Sequence, residues 1–578
     1  MSIKLKQAHL RSGEVVEIAD GLTVIVGPNN VGKTLLLNEL YQELLRHPGQ
    51  DQGMHMRVID HINLDKLGSV EEFIEWLANN YYRREPGAYP DGRYTEPNYR
   101  SMIGVTVTDS QVQGVWNLPD RMGALGNLLV RHLGADGRTQ MANDGSAFNL
   151  LTEKPSSPMQ FLYADRLLEQ KASELMMRAF HMPLTINRYA GNAITLHVGR
   201  PRLQEDMPPS TEYLEELFAL PHLQNQGDGV RAFMGILLMF TTSQFYPLIL
   251  IDEPEAFLHP PQAYLLGRVL AEQHDKGAQV IVATHSTDIL RGITSVKAAT
   301  DDVTVVRLTR SDAGNHVAQV PAETVGDLYE DPLIKYYGIL DGLFYQGVVL
   351  CEGDSDCTYY RAVLDSIGSL VGGTSTESVS IHFAHCGGKA RLAKGVETLR
   401  SAKVPVVCVV DFDFFRDGKE FNELVASSGG DPEALSSRRN DVLSAIQAKA
   451  TVIERVTIKA KIDDVLNGRT APNLSGAETT KIKAAVSSQS GWQDAKKQGR
   501  GLLSGQAVES FDILNAELRK LGIFVVADGE LERFHPEVSA QNKAEWLRRV
   551  LEQKKYLHAE NAHKLITDVA SNILGRQA

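Results

Sequence analysis

The eight residues Gly27-Pro28-Asn29-Asn30-Val31-Gly32-Lys33-Thr34 restrict this chain more than any other stretch, because they fit G-x-x-x-x-G-K-[ST] in the context where that spacing works. Before them runs "LTVIV", a β-branched apolar segment that reads as a buried strand, and after them "LLLNELYQELL" has the leucine spacing of a helix. A strand, a loop and a helix start in that order aim unpaired backbone N–H groups at one point, which makes a phosphate cradle. Gly27, Asn29, Asn30 and Gly32 would line it, Lys33 would neutralise β- and γ-phosphate oxygens, and Thr34 would hold Mg²⁺.

Two later strands supply what such a cradle needs. "LILIDEPEAFLHP" is an apolar run ending in Asp252 and Glu253. Asp252 would reach the magnesium through water, and Glu253 would polarise the attacking water. "QVIVATHS" is another apolar run, ending at His285 beside the expected γ-phosphate. Any one run could be an ordinary core strand with polar residues at its exit, but the ordered set of three does not share that excuse.

These three motifs resemble the ABC-type ATPase head of the SMC and RecF kind. The resemblance implies ATP as cofactor, and a composite site completed by a signature loop from a second subunit, hence a homodimer or a higher homo-oligomer. The matching loop here is "NQGDGVRAF", with Gly227, Asp228 and Gly229 ahead of an apolar helix; it departs from the usual "LSGGQ". Gln160, just before "FLYADR", takes the place of the family's Mg²⁺-sensing glutamine. About 220 residues separate Lys33 from Asp252, more than a minimal head needs. That surplus implies insertions, one of them a helical dimerisation element within about 165–225. No long heptad run occurs, so no SMC coiled coil is expected.

A second carboxylate cluster begins at "VVLCEGDSDCTYY", where an apolar strand delivers Glu352 onto a glycine. "SDCTYYRAVLDSI" has helical spacing with Ser355 as N-cap, which sets Asp356 in the first turn. "SVSIHFAHCGGKARL" is a second strand, and "VPVVCVVDFDFF" a third that ends in Asp411 and Asp413. Alternating strands and helices predict a parallel sheet with functional residues at the carboxyl ends of its strands. Glu352, Asp356, Asp411 and Asp413 would then share one edge and repel one another. Divalent metal relieves that repulsion, and oxygen-only ligands suit Mg²⁺ or Mn²⁺.

The order Glu-Gly…Asp-x-Asp resembles the Toprim fold of topoisomerases, primases and certain nucleases. An ABC head followed by Toprim resembles the OLD (overcoming lysogenization defect) family nucleases. That likeness implies an α/β chain: an ABC-type P-loop ATPase domain over 1–340, then a Toprim Rossmann-like domain over 341–578. It further implies an acidic residue after the strand of "LGIFVVADGELERF", completing a two-metal site: Glu532, with Glu530 the alternative. A lysine near the C-terminus is implied too, Lys564 in "AHKLITDVA", with Lys543 the other candidate. The expected catalytic residues are therefore Glu253 and His285 in the first site, and Glu352, Asp411 and Lys564 in the second.

Composition sets the remaining bounds. At 578 residues the chain exceeds one core. Its four cysteines, Cys351, Cys357, Cys386 and Cys408, follow neither disulfide nor zinc spacing, as in a reducing, cytoplasmic compartment. No apolar run reads as a signal peptide or a membrane span. The net charge is −13, yet between Arg438 and Arg500 twelve Lys or Arg face six Asp or Glu, a local balance of +6. A basic helical insertion at about 430–500 inside the second domain could follow a DNA backbone by charge alone.

The resulting expectation is an ATP-regulated, divalent-metal-dependent DNA endonuclease. Its expected roles are antiphage defence or DNA processing, with a helicase or reverse transcriptase as a possible operon-encoded partner. The alternatives are a topoisomerase-like Toprim enzyme and an ATP-driven DNA-binding scaffold with a silent Toprim domain.

Overall fold

The computed structural model describes residues 2–47, 56–84, 96–100, 106–151, 153, 155, 157–241, 246–272, 277–296, 303–311, 314–321, 338–370, 380–449, 455–468, 473–486 and 491–575. The chain divides into two compact units, 1–331 and 332–578. Among the described residues no helix is long and apolar enough to cross a membrane.

The first unit is built on a six-stranded sheet. Its strands are β1 (Leu22–Val26), β2 (Val130–Leu133), β3 (Leu248–Asp252), β4 (Gln279–Ala283), β5 (Val303–Ser311) and β6 (Gly314–Pro321), in the order β6-β5-β1-β4-β3-β2. All neighbours are parallel except the β5-β6 hairpin. β1 and β4 are buried at every position, which is why they read as continuous apolar runs with no polar face. Helix α1 (Lys33–Leu45) leaves the end of β1. A separate antiparallel sheet of Val15–Glu17, Ser2–Leu10 and Ile59–Leu67 is tied to the parallel one by the buried Gln279. That side chain accepts from the Leu5 N–H at 2.8 Å and donates to the carbonyls of Leu5 and Ala19 at 2.8 and 2.7 Å.

The span 165–225 departs from the all-helical element expected of it. Helix α2 (Arg166–Phe180) is followed by an antiparallel hairpin, Leu184–Asn187 with Ala193–Val198, and then by a helix over Thr211–Ala219. The β-branched pattern of "LTIN" and "AITLHV" forms a ladder there, and the second strand also pairs with Gly145–Ser146. Helix α3 (Asp228–Phe240) then buries nine of its residues, and the next described strand is β3.

The second unit holds a four-stranded, wholly parallel sheet of β7 (Gly347–Cys351), β8 (Ile381–His385), β9 (Val406–Val410) and β10 (Ile523–Val525), ordered β8-β7-β9-β10. Helix α4 (Asp354–Leu370) starts one residue before Ser355, so Ser355 is not its cap. Gly353 occupies the cap position, and Asp356, the third helical residue, reaches back with its carboxylate to accept the Gly353 N–H at 3.0 Å. Between β9 and β10 the chain runs through helices over Pro432–Ala448, Arg455–Asn467, Gly476–Val486 and α5 (Gly491–Gln498). The Arg455–Asn467 helix buries no residue, the mark of a solvated, charged element. Helices α6 (Lys543–Glu552) and α7 (Glu560–Gly575) close the core, where Trp546, Tyr359 and Ile566 pack with Val349 and Phe524.

Candidate functional site

In the first unit the loop after β1 bends through backbone that only small or special residues tolerate. Gly27 has φ +144°, and a Cβ there would lie 2.1 Å from the Leu308 carbonyl oxygen on β5. Asn30 and Gly32 also have positive φ, 63° and 96°. Gly32 caps α1 without a side-chain hydrogen bond, so the N-terminal N–H groups of that helix stay open to a ligand. Lys33 is buried and donates to the carbonyls of Gly27 and Pro28, both at 2.7 Å. Burial lowers its pKa to about 8, against the opposing charges of Glu253, Glu255 and Asp252. Thr34 donates to Asp252 Oδ1 at 3.1 Å, which joins the loop to the end of β3.

Glu253 has a left-handed backbone, φ 46°, and its carboxylate lies 3.6 Å from His285 Nε2. A non-glycine residue held at positive φ beside the cradle is backbone strain at a candidate catalytic position. Burial lowers the His285 pKa, and the Lys33 charge adds to the effect, so the ring favours its neutral form. Gln160 is buried in the Pro158–Ala164 helix, with its amide donating to the Ser146 carbonyl at 3.0 Å. Gly227 precedes α3, and a Cβ on Gly229 would meet the Phe257 carbonyl oxygen at 2.4 Å.

Two residues of this site were not singled out from the sequence. Glu255 is the clip between β3 and β4: it accepts from the His285 N–H at 2.6 Å and from the Thr284 hydroxyl at 2.8 Å. Arg138, fully buried, donates to the Asp252 carbonyl at 2.5 Å, and the charges of Glu255, Asp252 and Glu253 act on it. Glu255 could have been found in "DEPEAF", since a third acid so close to a buried strand end needs partners; Arg138 could not.

In the second unit every strand exit contributes to one edge of the sheet. β7 delivers Glu352, β9 delivers Asp411 and Asp413, and β8 leads through Gly387 and Gly388 to Lys389. β10 leads to Glu530 and Glu532. Glu352 Oε1 accepts the Asp411 N–H at 3.0 Å, which fixes the two adjacent strand ends to each other. Burial raises the pKa of Glu352, and the neighbouring Asp411 charge raises it further. Burial likewise raises that of Asp411, where Lys543 and Lys389 oppose the shift while Asp356 and Glu532 reinforce it. Glu530 is also raised, by burial first and then by Glu532.

Three ammonium groups stand among these acids. Lys389 is ion-paired with Asp413 and lies 3.8 Å from Glu352. Lys496, on α5, is 3.1 Å from Asp413 and 4.0 Å from Glu530. Lys543, the first residue of α6, donates to Asp356 at 2.8 Å. Burial works against its charge, yet Asp411 and Asp356 outweigh it and hold its pKa well above the usual lysine value.

Of the two C-terminal candidates, Lys543 is the one at the cluster. Lys564 projects, exposed, from α7 and takes no part in these contacts. The reason is packing: Trp546, one turn after Lys543, lies 5.6 Å from the Tyr359 ring and donates to the His535 carbonyl, which docks the start of α6 against α4.

Among the described residues no three acid, histidine or cysteine side chains close on a ready-made cation site. The donor chemistry nevertheless fits one. Every candidate ligand is a hard carboxylate oxygen, two of them are half-buried with pKa values raised by desolvation, and ammonium groups already stand where positive charge is wanted.

Comparison with known proteins agrees with both halves. Residues 215–291 match the AAA_21 family model, an AAA domain, and residues 343–413 match the model for the Overcoming lysogenization defect protein-like TOPRIM domain. The chain joins an ATPase domain to an OLD-like Toprim domain. The Old nuclease of Escherichia phage P2 is 26% identical over 173 residues, which cover 29% of this chain. The chain spans only 28% of that relative's length.

Among solved structures, an SMC head bound to the C-winged helix domain of ScpA aligns over 56% of this chain and 100% of its own, at 13% identity and a TM-score of 0.33. The SMC head domain from Thermotoga maritima covers 55% of this chain and 99% of its own, at 14% identity and a TM-score of 0.27. At scores this low the ABC-type assignment rests on the strand order and loop geometry of the ATPase unit itself.

Proposed function

We propose that this protein is an ATP-regulated, divalent-metal-dependent DNA endonuclease of the OLD kind, acting in antiphage defence or DNA processing. The observation that carries the reading is the meeting of Glu352, Asp411, Asp356 and Asp413 with Lys389 and Lys543 at the exits of a parallel sheet. A structural role alone does not account for so many carboxylates in one buried place.

Mg²⁺ or Mn²⁺ would be held by Glu352, Asp411, Asp356, Asp413 and Glu532. Bound there, divalent ions would activate water and neutralise charge on a phosphodiester. The chain's own part is positional. The Asp411 N–H orients Glu352, the Gly353 N–H orients Asp356, and Lys543 sets a fixed positive charge beside Asp356 and Asp411 for a developing phosphorane charge. In the ATPase unit, Glu253 next to a neutral His285 is suited to orient water on a γ-phosphate cradled by Lys33, Thr34 and the N-terminus of α1. Asp252 and Gln160 complete the proposed nucleotide–magnesium contacts. We infer a homodimer, because an ABC site is completed by a second copy's signature loop, here Gly227 to Gly229.

The test is a side-by-side plasmid-cleavage and phosphate-release assay. Asp411→Ala should abolish Mg²⁺-dependent cleavage and keep phosphate release. Undiminished cutting by Asp411→Ala would refute the assignment of cleavage to this cluster, and no cutting by the unmodified protein with Mg²⁺ or Mn²⁺ would replace the nuclease reading with the scaffold one.

A further inference from the structure

The third ammonium group of the acidic site comes from an unexpected place. Lys496 belongs to α5, the last helix of the basic insertion, and the backbone fixes that helix where it stands. A Cβ on Gly529 would lie 2.1 Å from the Lys496 carbonyl oxygen, and one on Gly499 would lie 2.0 Å from the Ala527 carbonyl oxygen. The Arg500 N–H donates to the Ala527 carbonyl at 2.8 Å. At the other end of α5, a Cβ on Gly491 would lie 1.9 Å from the Ile446 carbonyl oxygen. Gly499 and Gly529 therefore let the insertion press, backbone against backbone, on the turn that follows β10, and Gly491 seats α5 on the Pro432–Ala448 helix within the insertion. The result is that Lys496 Nζ reaches Asp413 at 3.1 Å and Glu530 at 4.0 Å.

Charge makes this arrangement unusual. Asp413 already has Lys389 as a partner, so two like charges crowd one carboxylate, and each disfavours the other. The two lysines are not equivalent. Lys389 is 20% exposed and shared between Asp413 and Glu352, while Lys496 is 42% exposed and sits at the rim. Its four-carbon stem can swing into water without exposing the core, and a partly exposed ion pair holds only weakly. Six carboxylates, Glu352, Asp356, Asp411, Asp413, Glu530 and Glu532, still outnumber the three ammonium groups. A doubly charged ion entering that excess would hold Asp413 better than a rim ammonium does.

We propose that Lys496 is a resident stand-in cation: it holds the Asp413–Glu530 corner until a divalent ion displaces it, and then turns out to contact a phosphate of the DNA backbone. The proposal rests on the nuclease reading and adds the exchange and its residue. It also gives the insertion a task beyond diffuse attraction, since the insertion carries the displaced charge to the mouth of the site.

The experiment is calorimetric titration of Mn²⁺ into the full chain without DNA, for the unmodified protein and Lys496→Gln, followed by steady-state plasmid cleavage. Removing a competing positive charge at this distance should tighten Mn²⁺ binding about tenfold. The same variant should raise the KM for DNA about three- to tenfold, with kcat little changed, and lower the slope of log affinity against log salt by about one. Reductive methylation should label Lys496 faster once Mn²⁺ is bound. Mn²⁺ binding that is unchanged or weaker in Lys496→Gln overturns the exchange while leaving the nuclease reading intact. Tighter Mn²⁺ binding with an unchanged KM overturns the phosphate contact. No Mn²⁺ binding by either protein overturns the metal-dependent reading itself.

Discussion

Replacing Lys543 by methionine keeps the unbranched stem, one atom shorter, and removes the charge. In the native protein the ammonium donates to Asp356 at 2.8 Å, and the Asp356 side chain is only 6% exposed. The variant therefore leaves a buried carboxylate with the Gly353 N–H as its remaining hydrogen-bond donor. Stripping one partner from a fully buried pair costs about 3–5 kcal/mol. Lys543 keeps 32% of its side chain in solvent, and screening there leaves about 2 kcal/mol. With a urea slope of about 3 kcal/mol per M for a unit of this size, the metal-free midpoint should fall by about 0.7 M. Tryptophan fluorescence suits the measurement, because Trp546 sits in the same core. Lys564→Met, on an exposed face, should shift the midpoint by under about 0.2 M, as surface substitutions do. Cleavage should separate the two further: Lys543→Met should lose about 100-fold or more, as when a transition-state charge partner is removed, and Lys564→Met should cut normally. If Lys543→Met unfolds with the native protein, or if Lys564→Met is the variant that loses cleavage, the assignment of the lysine is wrong.

Other expectations follow from the ATPase unit. Lys33→Ala should abolish binding of a fluorescent ATP analogue, whereas Glu253→Gln should bind ATP and release phosphate at least about 100-fold more slowly; normal turnover by either refutes the assigned roles. Gly27→Ala sets a methyl 2.1 Å from a backbone oxygen at φ +144° and should lose nucleotide binding as fully as Lys33→Ala does. Glu255→Ala unpairs the His285 N–H and the Thr284 hydroxyl, costing about 2–4 kcal/mol. In ATPase kinetics it should lower kcat more than it raises KM, and an equal change in both would contradict a role in holding His285.

Much of the architecture was legible because buried parallel strands leave a plain mark. "LTVIV", "LILID", "GVVLC" and "VVCVV" are apolar at nearly every position, and such runs have few other uses. Strand exits are where a parallel sheet gathers its chemistry, so Asp252, Glu253, His285, Glu352, Asp411 and Asp413 could be named from their places after those runs. The span 165–225 was read less well. Its short hairpin strands are half polar, and helical spacing on either side concealed them.

Sequence alone thus determined which residues end the buried strands, since hydrophobic periodicity and the geometry of a glycine loop are local properties. What it could not determine is which distant side chains meet them. Lys389, Lys496, Lys543, Arg138 and the docking of Glu255 depend on how helices pack on the sheet. A lysine on a helix face looks the same in sequence whether that face meets water or an acid. For Lys543 the decision was made by Trp546 against Tyr359, and for Lys496 by glycines that let two backbones touch. Such contacts join positions more than 20 residues apart, and only the closing of the core selects them.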